Sequence, residues 1–144
     1  KGAHLSMYFA ERAIVVVNPE VSSVRDSDRI LRLLASKTQR AEKGESAVKE
    51  HLLLTRYSPR RVAAGEMMSV DDVKEILGID VIGVIPESPD VLSASNAGTP
   101  VILSENSDVA RAYEDAVGRL LGETIPLRFI EEPKKGFFAR VFGG

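Results

Sequence analysis

Three short runs are apolar at nearly every position: Ala13-Ile14-Val15-Val16-Val17, Leu52-Leu53-Leu54-Thr55 and Val81-Ile82-Gly83-Val84-Ile85. A strand with one wet face alternates apolar and polar residues. A strand without alternation expects cover on both faces, which is the environment of a parallel sheet packed between helices. The first run stops at Asn18-Pro19 and the third at Pro86, where the missing N–H ends the ladder. The spaces between the runs carry helical patterns. Leu5, Tyr8 and Phe9 form one. Ile30, Leu31, Leu33 and Leu34 form another, with Ser22 or Ser23 placed to cap it. Ser69 precedes Val70, Val73, Ile76 and Leu77, with Asp71 and Asp72 in the first turn and Gly78 as the stop. Val91, Leu92 and Ala94 suggest a short helix, and Pro100-Val101-Ile102-Leu103 a short extended piece. Ser107 or Asp108 opens a last helix with Val109, Ala112, Tyr113, Ala116, Val117, Leu120 and Leu121 on one side. Residues 36–49 are polar and charged and read as an exposed excursion. Helices and strands that alternate in this way give an α/β layered fold.

At 144 residues the chain is one domain or a large piece of one. It starts at Lys1, without a methionine, and runs at once into helical spacing, as a piece of something longer does. Its 19 basic and 21 acidic residues leave a formal charge of −2, so no global field draws it onto nucleic acid. With no cysteine, disulfide scaffolds, thiolate metal sites and cysteine nucleophiles are excluded. No apolar run approaches the roughly 20 residues of a spanning helix.

Ligands of parallel sheets gather beyond the carboxyl ends of the strands. Those ends read Asn18-Pro19-Glu20, Thr55-Arg56-Tyr57 and Pro86-Glu87, each a polar group beside a proline or an aromatic ring. Such pairs suit the clamping of a planar base, although ordinary loop chemistry produces them too. Neither a Gly-x-x-x-x-Gly-Lys-Ser/Thr phosphate loop, a Gly-x-Gly-x-x-Gly turn nor a nucleophile elbow occurs. No carboxylate pair stands out as a dyad, so no catalytic residue and no metal ligand is assigned. Arg56, Arg60 and Arg61 form a basic loop that either touches phosphate or is plain solvated surface. His4 and His51 are read as structural or exposed.

Residues 129–144 break the pattern. Pro133 suits a first helical turn, and Phe137, Phe138, Val141 and Phe142 then share one face, with Lys134, Lys135 and Arg140 off it. An apolar face with a cationic flank is the pattern of an interfacial membrane helix. Burying those rings supplies several kcal/mol at ~25 cal/mol per Å². Each basic residue at an anionic surface adds about 1 kcal/mol. Nucleating so short a helix opposes both, so one copy binds weakly and two copies in a dimer bind firmly. Packing of the same helix on its own domain is the competing reading.

Taken in order, seven stretches are more specific. They are Asn18-Pro19-Glu20-Val21-Ser22-Ser23-Val24-Arg25-Asp26-Ser27-Asp28-Arg29, His51-Leu52-Leu53-Leu54-Thr55-Arg56-Tyr57, and Gly83-Val84-Ile85-Pro86-Glu87; then Ala94-Ser95-Asn96 with Pro100-Val101-Ile102-Leu103; and last Lys134-Lys135-Gly136-Phe137-Phe138 with Phe142-Gly143-Gly144. Together they closely resemble the C-terminal half of the septum-site determining MinD family, deviant-Walker P-loop ATPases related to ParA. The resemblance covers essentially the whole chain. It implies a partial P-loop NTPase-like, mostly parallel sheet with flanking helices over residues 1–128, and an amphipathic membrane-targeting helix over 129–144. It also implies ATP and Mg2+ as cofactors of the full-length protein, an ATP-dependent homodimer, MinC and MinE as partners, and anionic membrane lipids. The place implied is the bacterial cytoplasm and the cytoplasmic face of the inner membrane, and no nucleic acid is expected. The family's phosphate-binding loop, its signature lysine and both switch regions lie in the other half, so this piece alone is expected neither to bind ATP tightly nor to hydrolyse it. By matching positions, Thr55, Arg56, Pro86, Glu87 and Val91 lie near the adenine. Ser22, Arg25, Asp26 and Asp28 lie on the helix that meets MinC and MinE. Lys134, Lys135, Phe137, Phe138, Arg140, Val141 and Phe142 form the lipid-contacting tail. Two other readings stand beside this one: a ParA-type DNA-partitioning relative, with Arg56, Arg60 and Arg61 on phosphates, and a non-enzymatic membrane adaptor.

Overall fold

The computed structural model of the protein describes residues 2–131. In chain order its elements are α1 (Gly2–Tyr8), β1 (Arg12–Val17), α2 (Val21–Ser36), α3 (Gln39–Glu42), β2 (Lys49–Tyr57), α4 (Pro59–Ala63), α5 (Val70–Leu77), β3 (Asp80–Pro86), α6 (Pro89–Asn96), a 3-10 turn (Val101–Leu103) and α7 (Asp108–Leu120). The three strands form one parallel sheet in the order β1-β2-β3, with Val15 opposite Leu52 and Leu54 opposite Val84. The α/β expectation therefore holds. The tail helix, with Lys134, Lys135, Phe137, Phe138, Arg140, Val141 and Phe142, lies outside the described residues.

Strand alternation sends Leu52 and Leu54 to one face of β2 and Leu53 to the other. On the first face they meet Val24, Leu31 and Leu34 of α2 and Val73 and Leu77 of α5, in the larger of two cores. On the second, Leu53 and Ile85 meet Val109 and Ala112 of α7. Gly83 makes that second layer close, because a Cβ there would lie 2.6 Å from Cβ of Ala116 and 2.7 Å from Cδ1 of Leu53.

Caps explain several boundaries. Ser69 opens α5 with a reciprocal capping box: its Oγ accepts from the Asp72 N–H, and Asp72 accepts from the Ser69 N–H. The hydrogen bonds from the Ser69 side chain and backbone hold the Asp72 carboxyl below the usual carboxylate range. Gly78 closes the helix at φ 65°, a left-handed conformation that glycine adopts without steric cost.

Other expectations are corrected. Helix α2 begins two or three residues earlier than a Ser22 or Ser23 cap allows: Glu20 is the N-cap residue, without a side-chain bond. The polar stretch 36–49 contains the single-turn α3, capped by a buried Thr38, and its last residue already belongs to β2. The basic loop after β2 is helix α4, capped by Ser58. Val101–Leu103 is a 3-10 turn, not an extended piece. Ser107 precedes α7, but its hydroxyl donates to Oδ2 of Asp90 at 2.8 Å instead of capping. Strand β1 does alternate: Ile14 and Val16 are solvent-exposed, because α7 packs on β3, α2 packs on the opposite face of β1, and no described element covers this one. Ile76, Val117 and Leu121 also point outward within this chain.

A guanidinium clamp holds the segment after α7. Arg119 donates from Nε to the Ile125 carbonyl (2.6 Å), from Nη1 to Ile82 (2.8 Å) and from Nη2 to Pro126 (2.7 Å). Asp115, buried on the same helix, accepts two bonds from Arg128 at 2.6 and 2.7 Å and lies 3.8 Å from Arg119. The carboxylate and the three carbonyls compensate the partly buried guanidinium.

His51 of β2 is 7% exposed, and neither ring nitrogen meets a hydrogen-bonding partner among the described residues. Burial lowers its pKa first, then the nearby Lys49 and Arg12 charges, against a smaller opposite pull from Asp80. The unfolded state therefore takes up a proton before the folded state does. The neutral imidazole's contribution is complete above the ordinary histidine value of about 6.5 and is lost as pH falls from there through the lower folded value. Thermal unfolding followed from about pH 7.5 to about pH 5.5 is expected to show a fall in Tm that His51→Leu reduces. An equal fall in both proteins would place the titrating group elsewhere.

Candidate functional site

The carboxyl ends of all three strands converge at one edge of the sheet. Asn18 follows β1, Thr55 and Arg56 lie near the end of β2, and Pro86 ends β3. Thr55 Oγ1 donates to Asn18 Oδ1 at 2.9 Å, which ties two of the ends together. The Glu87 N–H donates to the Tyr57 carbonyl at 2.9 Å, which ties the third. Tyr57 lies buried beneath, and burial raises its phenol pKa.

Arg56 adopts φ 56°, a left-handed conformation that is uncommon for a side-chain-bearing residue. It falls where the β2–β3 register shifts, between Leu54 and Tyr57. Strained backbone of this kind concentrates at ligand sites. The Arg56 guanidinium lies 3.7 Å from Glu87, and both side chains are open to solvent, so the pair positions these groups more than it stabilises the fold.

Beyond the strand ends lies a cavity of about 440 Å³, lined by Thr55, Arg56, Pro86, Glu87 and Val91. All five positions that the family resemblance placed near a base thus face one space, of a size usual for small-molecule sites. Ile85 and Tyr113 also line it, as do Leu92 and two serines of the α6 region, Ser88 and Ser95. None of these five is among the base-adjacent positions that the resemblance implies: by sequence Tyr113 belongs to the α7 apolar stripe and Leu92 to the apolar side of α6. The usable signal was the Pro86-Glu87-Ser88-Pro89 junction: Ser88 caps α6 directly after the strand, so the first turn of α6 has to border the strand end.

The donor set fits a heterocyclic base. Pro86, Val91 and Leu92 give apolar walls. A guanidinium plane can stack on a ring, the Glu87 carboxylate can accept from an exocyclic amine, and the Thr55 hydroxyl keeps acceptor capacity after donating to Asn18. For a polyphosphate the same cavity offers one guanidinium, already facing Glu87, and no glycine-rich loop.

On α2, Ser22, Arg25 and Asp26 are exposed at helical spacing, while Asp28 is half-buried and bridged by Arg32. Arg61 lies 3.9 Å from both Glu20 and Glu66, so its charge is compensated; Arg60 is exposed on α4.

No protein-family model matches the chain. It is 64% identical over 143 residues to the septum site-determining protein MinD of Escherichia coli K12, covering 99% of this chain and 53% of that protein. It is 60% identical over 144 residues to MinD of Neisseria meningitidis serogroup B, covering 100% and 53%. Its fold superposes on a solved MinC:MinD cell division complex from Aquifex aeolicus with a TM-score of 0.71 at 38% identity, over 84% of this chain and 47% of that one. The chain spans about half the length of the curated relatives it matches.

Proposed function

We propose, from the premise that this chain belongs to the MinD family as a stretch matching about half of its relatives' length, that it is the base-binding, partner-binding and membrane-contacting part of an ATPase that positions the division septum. The observation that carries the nucleotide part is the cavity at the strand ends, where Thr55, Arg56, Pro86, Glu87 and Val91 meet. In this reading Pro86 and Val91 would give the adenine an apolar wall, Arg56 would offer a plane to stack on, and Glu87 would accept from the exocyclic amine. Mg2+ and the triphosphate, when bound, supply the hydrolytic chemistry, and their ligands lie outside this chain. The residues here bind and orient the base. In an ATP-dependent pair of full-length subunits, two tails would reach the membrane together.

For partners, the exposed α2 face with Ser22, Arg25 and Asp26, and Asp28 at its edge, is the surface offered to MinC and MinE. The existence of a MinC:MinD complex in a relative supports the first of these. For the membrane, support comes from the amphipathic pattern of Phe137, Phe138, Val141 and Phe142 beside Lys134, Lys135 and Arg140. The protein is then peripheral on the cytoplasmic face of the bacterial inner membrane.

Val91→Glu tests the nucleotide part. Val91 is 42% exposed, so the fold tolerates the change, while a second carboxylate beside Glu87 intrudes on the base. In the full-length protein, ATP affinity measured with a fluorescent analogue is expected to fall about tenfold or more, the loss of a well-packed contact plus a buried charge. Unchanged affinity would move the base elsewhere.

A further inference from the structure

A second groove, of about 400 Å³, runs along the outer side of α7. Its walls are apolar: Ile102 of the 3-10 turn, Val117 and Leu121 of α7, and Ile125 after it. Val117 and Leu121 are 50% and 77% exposed within this chain, which spans about half the length of its relatives. Glu114 and Glu123 line the same groove, and neither forms an ion pair with another described residue.

We infer that this groove is the docking site of the chain's own C-terminal segment, residues 132–144, when that segment is off the membrane. Two observations select this occupant. The first is charge: from Pro133 onward the segment carries Lys134, Lys135 and Arg140 and no acid, while the groove is rimmed by carboxylates. The second is tether length. Arg128 is bonded to Asp115, which itself lines the groove, so the chain leaves the fold beside it. Thirteen residues separate Arg128 from Val141, which is about 20 Å even if wholly helical and about twice that if extended. Another bare apolar surface, Ile14 and Val16 on β1, shares its face with Arg12 and with Lys49, opposite Arg12 in the register, and so repels a cationic segment.

Docking itself is independent of the lipid reading. Its consequence rests on that reading: the same four apolar residues, Phe137, Phe138, Val141 and Phe142, cannot face the groove and the bilayer at once, so the groove competes with lipid and holds a lone subunit off the membrane.

This chain has no cysteine, and any cysteine in the rest of the full-length protein is first replaced by serine. Val117→Cys with Val141→Cys changes little volume at either place. In the full-length protein without lipid, this pair is expected to form an intramolecular disulfide at least fivefold faster than Glu75→Cys with Val141→Cys, whose α5 position lies in the other layer. Charge reversal at Glu114 and Glu123 to lysine should remove that advantage. Vesicles of phosphatidylcholine and phosphatidylglycerol at 3:1 should slow the crosslink. Equal rates for the two pairs, or a crosslink found only between chains, would overturn docking even if the protein binds vesicles. A fast crosslink in a protein that ignores vesicles would leave docking standing and overturn the lipid reading instead.

Discussion

Gly83→Val leaves the chain unable to hold its second layer. Valine at this position brings a Cβ to 2.6 Å from Ala116 Cβ and 2.7 Å from Leu53 Cδ1, before its two γ-methyls are counted. Leu53 can rotate away, but Ala116 is fixed to the backbone of α7, so the helix has to lift from β3. Overpacking of a well-filled core costs about 1–3 kcal/mol and at times more, and a rigid helix backbone on one side puts this case at about 3 kcal/mol or above, against a typical total of 5–15. Lifting α7 also pulls Arg119 from the Ile82 carbonyl, which the helix now reaches at 2.8 Å. Urea unfolding of Gly83→Val should show a large drop in midpoint, or no folded baseline. Gly83→Ala, which adds the Cβ alone, should fall between the variant and the parent. A parental midpoint for Gly83→Val would mean that α7 does not pack as closely as described.

Phe138→Asp carries the second large effect, on membrane binding. Phe138 sits in the middle of the apolar set Phe137, Phe138, Val141 and Phe142. The change removes about 2 kcal/mol of ring burial and places a carboxylate where the acyl boundary should be, at a further penalty. Because binding through a short helix is marginal for one copy and multiplied in a pair, the loss appears twice in a dimer. Flotation with vesicles containing phosphatidylglycerol, in the presence of ATP, is expected to show binding reduced at least a hundredfold, while far-ultraviolet circular dichroism of the body is unchanged. Binding at the parental level would show that the aromatic face is used against protein and not lipid.

Both expectations draw on different kinds of legibility. The tail pattern is local: four apolar residues and three cations within nine positions can be read without knowing where the rest of the chain lies. The same holds for the α5 cap, where Ser69, Asp72 and Gly78 act on backbone groups at most a few residues away. Gly83 is the opposite case. In sequence it is an interruption in Val81-Ile82-Gly83-Val84-Ile85, and only the approach of Ala116, 33 residues later, gives it a reason. The candidate site was half legible. Parallel strands gather their carboxyl ends, so Thr55, Arg56, Pro86 and Glu87 could be named from the strand ends alone, whereas Tyr113 comes from a helix whose placement over β3 no local pattern states.

The three strands, helices α2, α5, α6 and α7 and the α5 cap were thus legible in the sequence itself, since each depends on the period of side-chain direction and on hydrogen bonds to near neighbours. The tertiary structure decided which apolar residues are covered. Ile14, Val16, Val117 and Leu121 look as hydrophobic in sequence as Leu52 or Val109, yet the first four meet solvent and the last two are fully enclosed. Burial belongs to a pair of surfaces, and a single segment carries only one of them.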